Sequence, residues 1–185
     1  MDNGASSYRR FRDLGDESGL VEIIRDYKDG LIFYLTSIVG SLQLAEEIAE
    51  DTFVLLGTKR PRDKNKGSFR TWLYTIGRNL AIDYLRKQVR RQTVPLEECA
   101  ELADLLELEQ AYIRDERKIQ VHRALLKLKP EYRQVLWLVY FEDFSCRDAA
   151  AVLGKTVHGT EMLLSRARKS LKELLEMEDF IYEAL

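Results

Sequence analysis

Apolar side chains recur three and four residues apart along most of the chain. Leu20, Ile23, Ile24, Tyr27, Leu31, Tyr34, Leu35 and Ile38 form one such series; Leu44, Ala45, Ile48, Ala49, Thr52, Phe53, Leu55 and Leu56 form the next. A period near 3.6 residues stacks each series on one side of a helix and leaves the polar residues on the other. Ser68 can cap a third helix, in which Phe69, Trp72, Leu73, Ile76 and Leu80 share a face and which continues to about Arg91. No segment alternates with the two-residue period of a strand, so the expected fold class is all-α.

The three prolines mark boundaries. Pro61 lies in a polar basic loop, Pro95 follows the pair Arg90 and Arg91, and Pro130 opens a new apolar-periodic segment. Residues 97–116 carry eight carboxylates against Arg114 alone and read as an acidic linker. Beyond it, Ile119, Leu125, Leu126 and Leu128 form a helix ended before Pro130, and Val135, Leu136, Leu138, Val139 and Phe141 form another. The expected organisation is a helical domain over 16–92, the linker over 93–115 and a second helical domain over 116–178. The opening segment Met1–Gly15, with Arg9, Arg10 and Arg12, is expected to be mobile.

Near the C-terminus the signals are more specific. Ser145 and Asp148 form a capping box variant, the serine oxygen taking the Asp148 amide while the carboxylate reaches back. A short helix with Ala149, Ala150 and Ala151 follows, and Gly154 is placed to end it in the left-handed conformation. Thr156 can cap a further helix that buries Thr160, Leu164, Ala167, Leu171 and Leu174. This is a helix-turn-helix pattern, although a plain two-helix packing corner would share the alanines and the glycine. On the opposite face Val157, His158, Glu161, Met162, Ser165, Arg166 and Lys169 are the candidate contacts to bases and phosphates.

Charge sharpens this reading. The 29 Lys and Arg nearly balance the 31 Asp and Glu, for a formal charge of −2, which excludes a uniformly basic polyanion binder. The charges are nevertheless segregated: residues 59–91 hold eleven basic residues and only Asp63 and Asp83 as acids, with Phe69, Trp72, Tyr74 and Tyr84 interleaved. Positive charge attracts the phosphate backbone, and aromatic faces stack on unpaired bases. Lys64, Lys66, Arg70, Arg78 and Asn79 are the contact candidates; Trp72 fits the apolar core stripe, and Phe69, at the helix start, is open to either role.

Other chemistry is poorly supplied. Cys99 and Cys146 stand far apart with only His122 and His158 to join them, so no metal site and no disulfide framework is expected. Phosphate-loop, nucleophile-elbow, zinc-protease and dinucleotide motifs are all missing, and no cofactor is expected. The longest mostly apolar run, residues 31–39, is far too short to span a bilayer, and no signal peptide is recognisable at Met1. No membrane insertion and a cytoplasmic location are expected.

Three stretches together resemble a known family. Residues 45–53 (AEEIAEDTF), 68–87 (SFRTWLYTIGRNLAIDYLRK) and 128–136 (LKPEYRQVL) are similar, in this order, to regions two and four of the extracytoplasmic-function sigma factors of bacterial RNA polymerase. The resemblance implies a region-two bundle and a region-four helix-turn-helix joined by a flexible connection. It implies binding of core polymerase through the beta and beta-prime subunits, and of promoter DNA in duplex and single-stranded form. The helix over 44–56 would dock on the beta-prime clamp through Glu46, Glu47, Glu50, Asp51 and Phe53. Lys64, Lys66, Phe69, Arg70, Arg78, Asn79 and Arg86 would hold the minus-ten strand, with a flipped base captured by the loop. The C-terminal helix would read the minus-thirty-five element, and the linker would follow the polymerase's RNA path. An anti-sigma factor is a further candidate partner, and no catalytic residue is implied.

The recognition helix departs from the family's usual pattern. Thr160 stands at a valine position, Glu161 at a basic contact and Leu163 at an arginine position. Glu161 is then expected to accept from a cytosine amino group, with Arg166 and Lys169 on phosphates. The alternatives are a conventional helix-turn-helix regulator, or a sigma-like adaptor with weakened minus-thirty-five recognition. The first leaves the basic segment and the acidic linker without a purpose.

Overall fold

The computed structural model describes residues 3–62, 67–91 and 116–177. All regular elements among them are helical: α1 (Asn3–Leu14), α2 (Glu17–Val39), α3 (Leu42–Lys59), α4 (Phe69–Arg91), α5 (Glu116–Lys127), α6 (Pro130–Leu136), a π-helical turn (Trp137–Phe141), α7 (Cys146–Leu153) and α8 (Val157–Met177). The acidic linker, Lys64, Lys66 and Cys99 lie outside the described residues.

Local chemistry accounts for the helix ends. Asp16 caps α2 by accepting from the Ser18 amide, and Gly40, at φ 77°, closes it. Ser41 and Ser68 cap α3 and α4 through the amides of Leu44 and Thr71, at 3.3 and 3.1 Å. Pro130 opens α6, where its missing N–H costs nothing.

In the first bundle Ile23, Leu31 and Leu35 of α2 meet Ala45, Ile48, Ala49 and Leu56 of α3 and Leu73 of α4, all buried. Each large side chain removed from water in this way contributes about 1.5–3 kcal/mol. The opening segment, expected to be mobile, is instead the helix α1, and it packs Tyr8 and Phe11 into this core. Its apolar residues are few, but these two aromatics, three residues apart, have a ready-made hydrophobic surface to cover.

The second bundle buries Leu125 and Leu128 of α5, Val135 and Leu136 of α6, Val152 and Leu153 of α7, and Leu163, Leu164 and Ala167 of α8. The segment expected as one α-helix through Phe141 widens into the π turn at Trp137. There the Glu142 amide donates to the Trp137 carbonyl at 3.1 Å, and Trp137 stacks on Phe141 with ring centroids 4.4 Å apart. Leu138 stays buried, while Phe141 turns partly into solvent. The two bundles meet along a seam in which α7 lies on α4 and α6 lies on α2.

Candidate nucleic-acid interface

α7 and α8 build the helix-turn-helix. Ser145 accepts from the Asp148 amide at 3.1 Å, as expected. The other half of the capping box differs: the Asp148 carboxylate accepts from the Ser145 hydroxyl rather than from its backbone, and its second oxygen accepts from the Thr71 hydroxyl of α4 at 3.3 Å. Gly154, at φ 64°, ends α7, and Thr156 caps α8 by accepting from the Gly159 amide at 3.0 Å.

α8 buries Thr160, Leu163, Leu164 and Ala167 against this scaffold. Val157, His158, Glu161, Met162, Ser165, Arg166 and Lys169 are all exposed on its other side. The Lys169 ammonium reaches Glu173 only at 3.9 Å, a solvent-screened pair that costs little to give up for a phosphate. The Thr160 hydroxyl is buried without a hydrogen-bond partner among the described residues. Leu163, at the family's usual arginine position, is one of the residues that fix α8 to its bundle.

The candidates on α4 divide. Asn79 and Arg86 are exposed, and Arg86 pairs with Asp83 at 3.5 Å. Phe69 corrects the expectation of a DNA contact. It is only 2% exposed, with its ring among Tyr8, Tyr27 and Trp72 at centroid distances of 5.5–5.6 Å. It presents no face to a base in this arrangement, because the position that begins α4 also continues its apolar stripe.

Arg70 and Arg78 point across the seam. The Arg70 guanidinium and the Tyr74 hydroxyl both donate to the Glu142 carboxylate, the latter at 2.6 Å. Arg70 also lies 4.7 Å over the Phe144 ring. Arg78 donates to Gln134 at 3.4 Å, and Arg133 of α6 donates to the Ser37 carbonyl of α2 at 2.7 Å. Burial, reinforced by the Glu142 charge, pushes the Tyr74 hydroxyl far above its ordinary pKa, so it remains a donor. Burial works against the Arg70 charge, but the adjacent Glu142 carboxylate helps to outweigh it, and the pKa is raised. Gly30 allows the approach: a Cβ there would stand 2.6 Å from the Tyr74 oxygen and 2.9 Å from Glu142. Sequence reasoning missed Glu142, Tyr74 and Gln134, whose partners lie 56 to 72 residues away along the chain.

α3 carries Glu46, Glu47, Glu50 and Asp51 on its exposed face. Phe53 is a second correction: it is 7% exposed and belongs to the core beneath that face. Val54, four residues after Glu50, is the apolar residue that stands exposed beside the carboxylates, and i, i+4 spacing from Glu50 was the signal for it. Among the described residues, no helix is long and apolar enough to cross a membrane, and no group of three or more His, Cys, Asp or Glu side chains gathers as metal ligands.

Family models described as Sigma-70 region 2 and Sigma-70, region 4 match residues 23–91 and 118–171. The chain is 30% identical to the RNA polymerase sigma factor YlaC of Bacillus subtilis, over 82% of this chain and 89% of that protein. It is 26% identical to the ECF RNA polymerase sigma factor SigW of the same organism, over 87% and 91%. A solved structure of the sigma factor RpoE from Bartonella quintana, in complex with the anti-sigma factor NepR, shares the fold. Its TM-score is 0.65 at 23% identity, over 84% of this chain and 95% of that one.

Proposed function

The chain belongs to the extracytoplasmic-function family of RNA polymerase sigma factors, and from that premise we propose how its residues share the work of initiation. A sigma factor directs core polymerase to promoters. This one needs no catalytic group of its own, since the polymerase joins the nucleotides and the sigma subunit supplies binding energy that favours melted DNA.

α8 enters the major groove at the minus-thirty-five element. The observation that carries this is the set of seven exposed candidates on one side of a helix whose other side is anchored in the core. Arg166 and Lys169 hold phosphates, and Glu161 accepts from a cytosine amino group. At minus ten the loop lysines Lys64 and Lys66, with Asn79 and Arg86, hold the non-template strand. Arg70 and Arg78 join them once the seam has opened, and Phe69 supports them from the core. The α3 carboxylates and Val54 dock on a basic surface of the beta-prime clamp. Residues 93–115 lie along the RNA path, and the protein works in the cytoplasm with its polymerase. An anti-sigma protein is a further partner, in line with the complex formed by the RpoE of shared fold.

Reconstitution with sigma-free core polymerase tests this on a randomised promoter library. Open complexes on a selected subset are expected. Failure to bind core would sink the assignment of residues, and core binding without open complexes would favour the adaptor reading. In the same library Glu161→Gln should relax the preference at one minus-thirty-five position by roughly tenfold; an unchanged preference would remove Glu161 from base reading.

A further inference from the structure

Each residue of an α-helix turns about 100° from the one before it. On α8 the buried residues Thr160, Leu163, Leu164 and Ala167 define the side that meets the bundle. Met162 lies within roughly 30° of the opposite direction, so it points almost straight away from the core. Its side chain is 45% exposed and stands outside the apolar core that the described residues form. The residues one turn away, His158, Gly159, Ser165 and Arg166, offer it no apolar side chain to pack on. The other exposed apolar residues of α8 are placed differently: Val157 begins the helix and Met177 ends it.

The direction of Met162 is fixed by its neighbours in the chain. Thr160 before it and Leu163 and Leu164 after it are buried, which anchors the backbone between them. The turn that leads into α8 is held by Gly154, by the Thr156 cap and by Lys155, whose ammonium lies 3.5 Å from the Glu131 carboxylate of α6. The rest of the exposed face is polar, with Glu161, Ser165, Arg166 and Lys169 around the methionine. An apolar side chain in that place gains free energy only when an apolar partner covers it. In the major groove that partner is the 5-methyl group of thymine, the apolar mark that sets this base apart there. A thioether is flexible and polarisable, and it fits such a small, irregular surface.

We propose that Met162 is a specificity-determining residue, which reads a thymine of the minus-thirty-five element by packing its side chain on the 5-methyl group. This rests on the reading of α8 as the helix that enters the major groove. Consecutive Cα atoms stand about 3.8 Å apart and stacked base pairs about 3.4 Å. Glu161 and Met162 therefore address neighbouring base pairs, and the thymine stands beside the cytosine that Glu161 faces. The two contacts differ in kind: Glu161 accepts a hydrogen bond, whereas Met162 removes a methyl group from water. Arg166 and Lys169 supply affinity that falls with salt and carries no sequence information, while the methyl contact carries sequence information and little salt dependence.

The test replaces thymine by uracil, which removes the methyl group and leaves base pairing unchanged. Holoenzyme would be titrated with the duplex that the wild type selects from a randomised promoter library, each minus-thirty-five thymine of either strand being replaced in turn. One replacement is expected to weaken wild-type binding roughly fourfold, the loss of a single buried methyl group. Met162→Ala should bind the thymine duplex roughly fourfold more weakly and the uracil duplex as the wild type does, so that the difference between the two disappears. Met162→Leu should keep most of that difference, and both variants should bind core as the wild type does. A selected element without thymine, or equal wild-type binding of thymine and uracil at every position, would overturn the inference. So would a difference that survives in Met162→Ala. A Met162→Ala loss that is equal on both duplexes, or that falls on core binding instead, would assign the methionine to a protein partner and overturn it as well. An Arg166→Ala, Lys169→Ala double variant separates the levels. If it binds the duplex as the wild type does, the reading of α8 fails and this inference with it; if it weakens binding while the wild type does not distinguish thymine from uracil, the Met162 inference alone fails.

Discussion

α8 and α4 are both assigned to DNA, yet they meet solvent in opposite ways. On α8 all seven candidate contacts are exposed, and the ion pair of Lys169 with Glu173 is long and screened. On α4 Phe69 is in the core, and Arg70 and Arg78 are engaged with Glu142 and Gln134 of the second bundle. On the proposed assignment α8 is therefore ready in the arrangement described, whereas α4 shares its arginines with the second bundle. If Arg70 holds DNA as proposed, DNA and Glu142 compete for one guanidinium. A fraction of molecules held closed by the seam lowers the apparent minus-ten affinity by that fraction.

The sharpest break of this contrast is Phe69→Ala. As a core residue of the first bundle, Phe69 should cost about 3–5 kcal/mol on truncation, read as a fall in the denaturation midpoint. Met162→Ala on exposed α8 should stay within about 0.5 kcal/mol. Equal, small effects on stability would return Phe69 to the surface and erase the difference. Next in size is Glu142→Gln, which keeps the shape of the seam and removes its charge. Loss of the charge-assisted bonds, worth roughly 1.5–3 kcal/mol, should separate the bundles by small-angle scattering and strengthen minus-ten binding severalfold. A variant as compact as the wild type, with the same affinity, would show that the seam does not compete with DNA. Smallest is Thr160→Val. Among the described residues the buried threonine hydroxyl has no partner, so its removal should stabilise region four by about 1 kcal/mol in thermal melts, with no change in promoter preference. Destabilisation would mean that the hydroxyl is satisfied in solution.

Much of the fold was legible because it is written at short range. The caps at Ser41, Ser68, Ser145 and Thr156 each act on an amide three residues ahead. The apolar stripes of α2, α3 and α8 are i, i+3 and i, i+4 series, so a linear reading recovers them together with the exposed face of α8. α1 escaped for the opposite reason: Tyr8 and Phe11 are its only large buried apolar residues, and the surface they cover is made by α2 and α4. Phe69 and Phe53 escaped because an aromatic at the margin of a stripe can turn either way, and only the neighbouring helix decides.

The amino-acid sequence by itself determined that this is an all-helical chain with segregated charge, a capped helix-turn-helix and a basic segment of sigma region-two type. Hydrogen bonds one turn apart and a helical period are sufficient for that. Tertiary structure alone decided that Glu142 meets Arg70 and Tyr74, that Asp148 reaches Thr71, and that the exposed Arg60 lies over Phe11 of α1. These contacts join residues 49 to 77 positions apart. No local pattern encodes such pairs; they exist because burial of the two apolar cores brings the helices together and leaves their polar side chains to find partners on neighbouring helices.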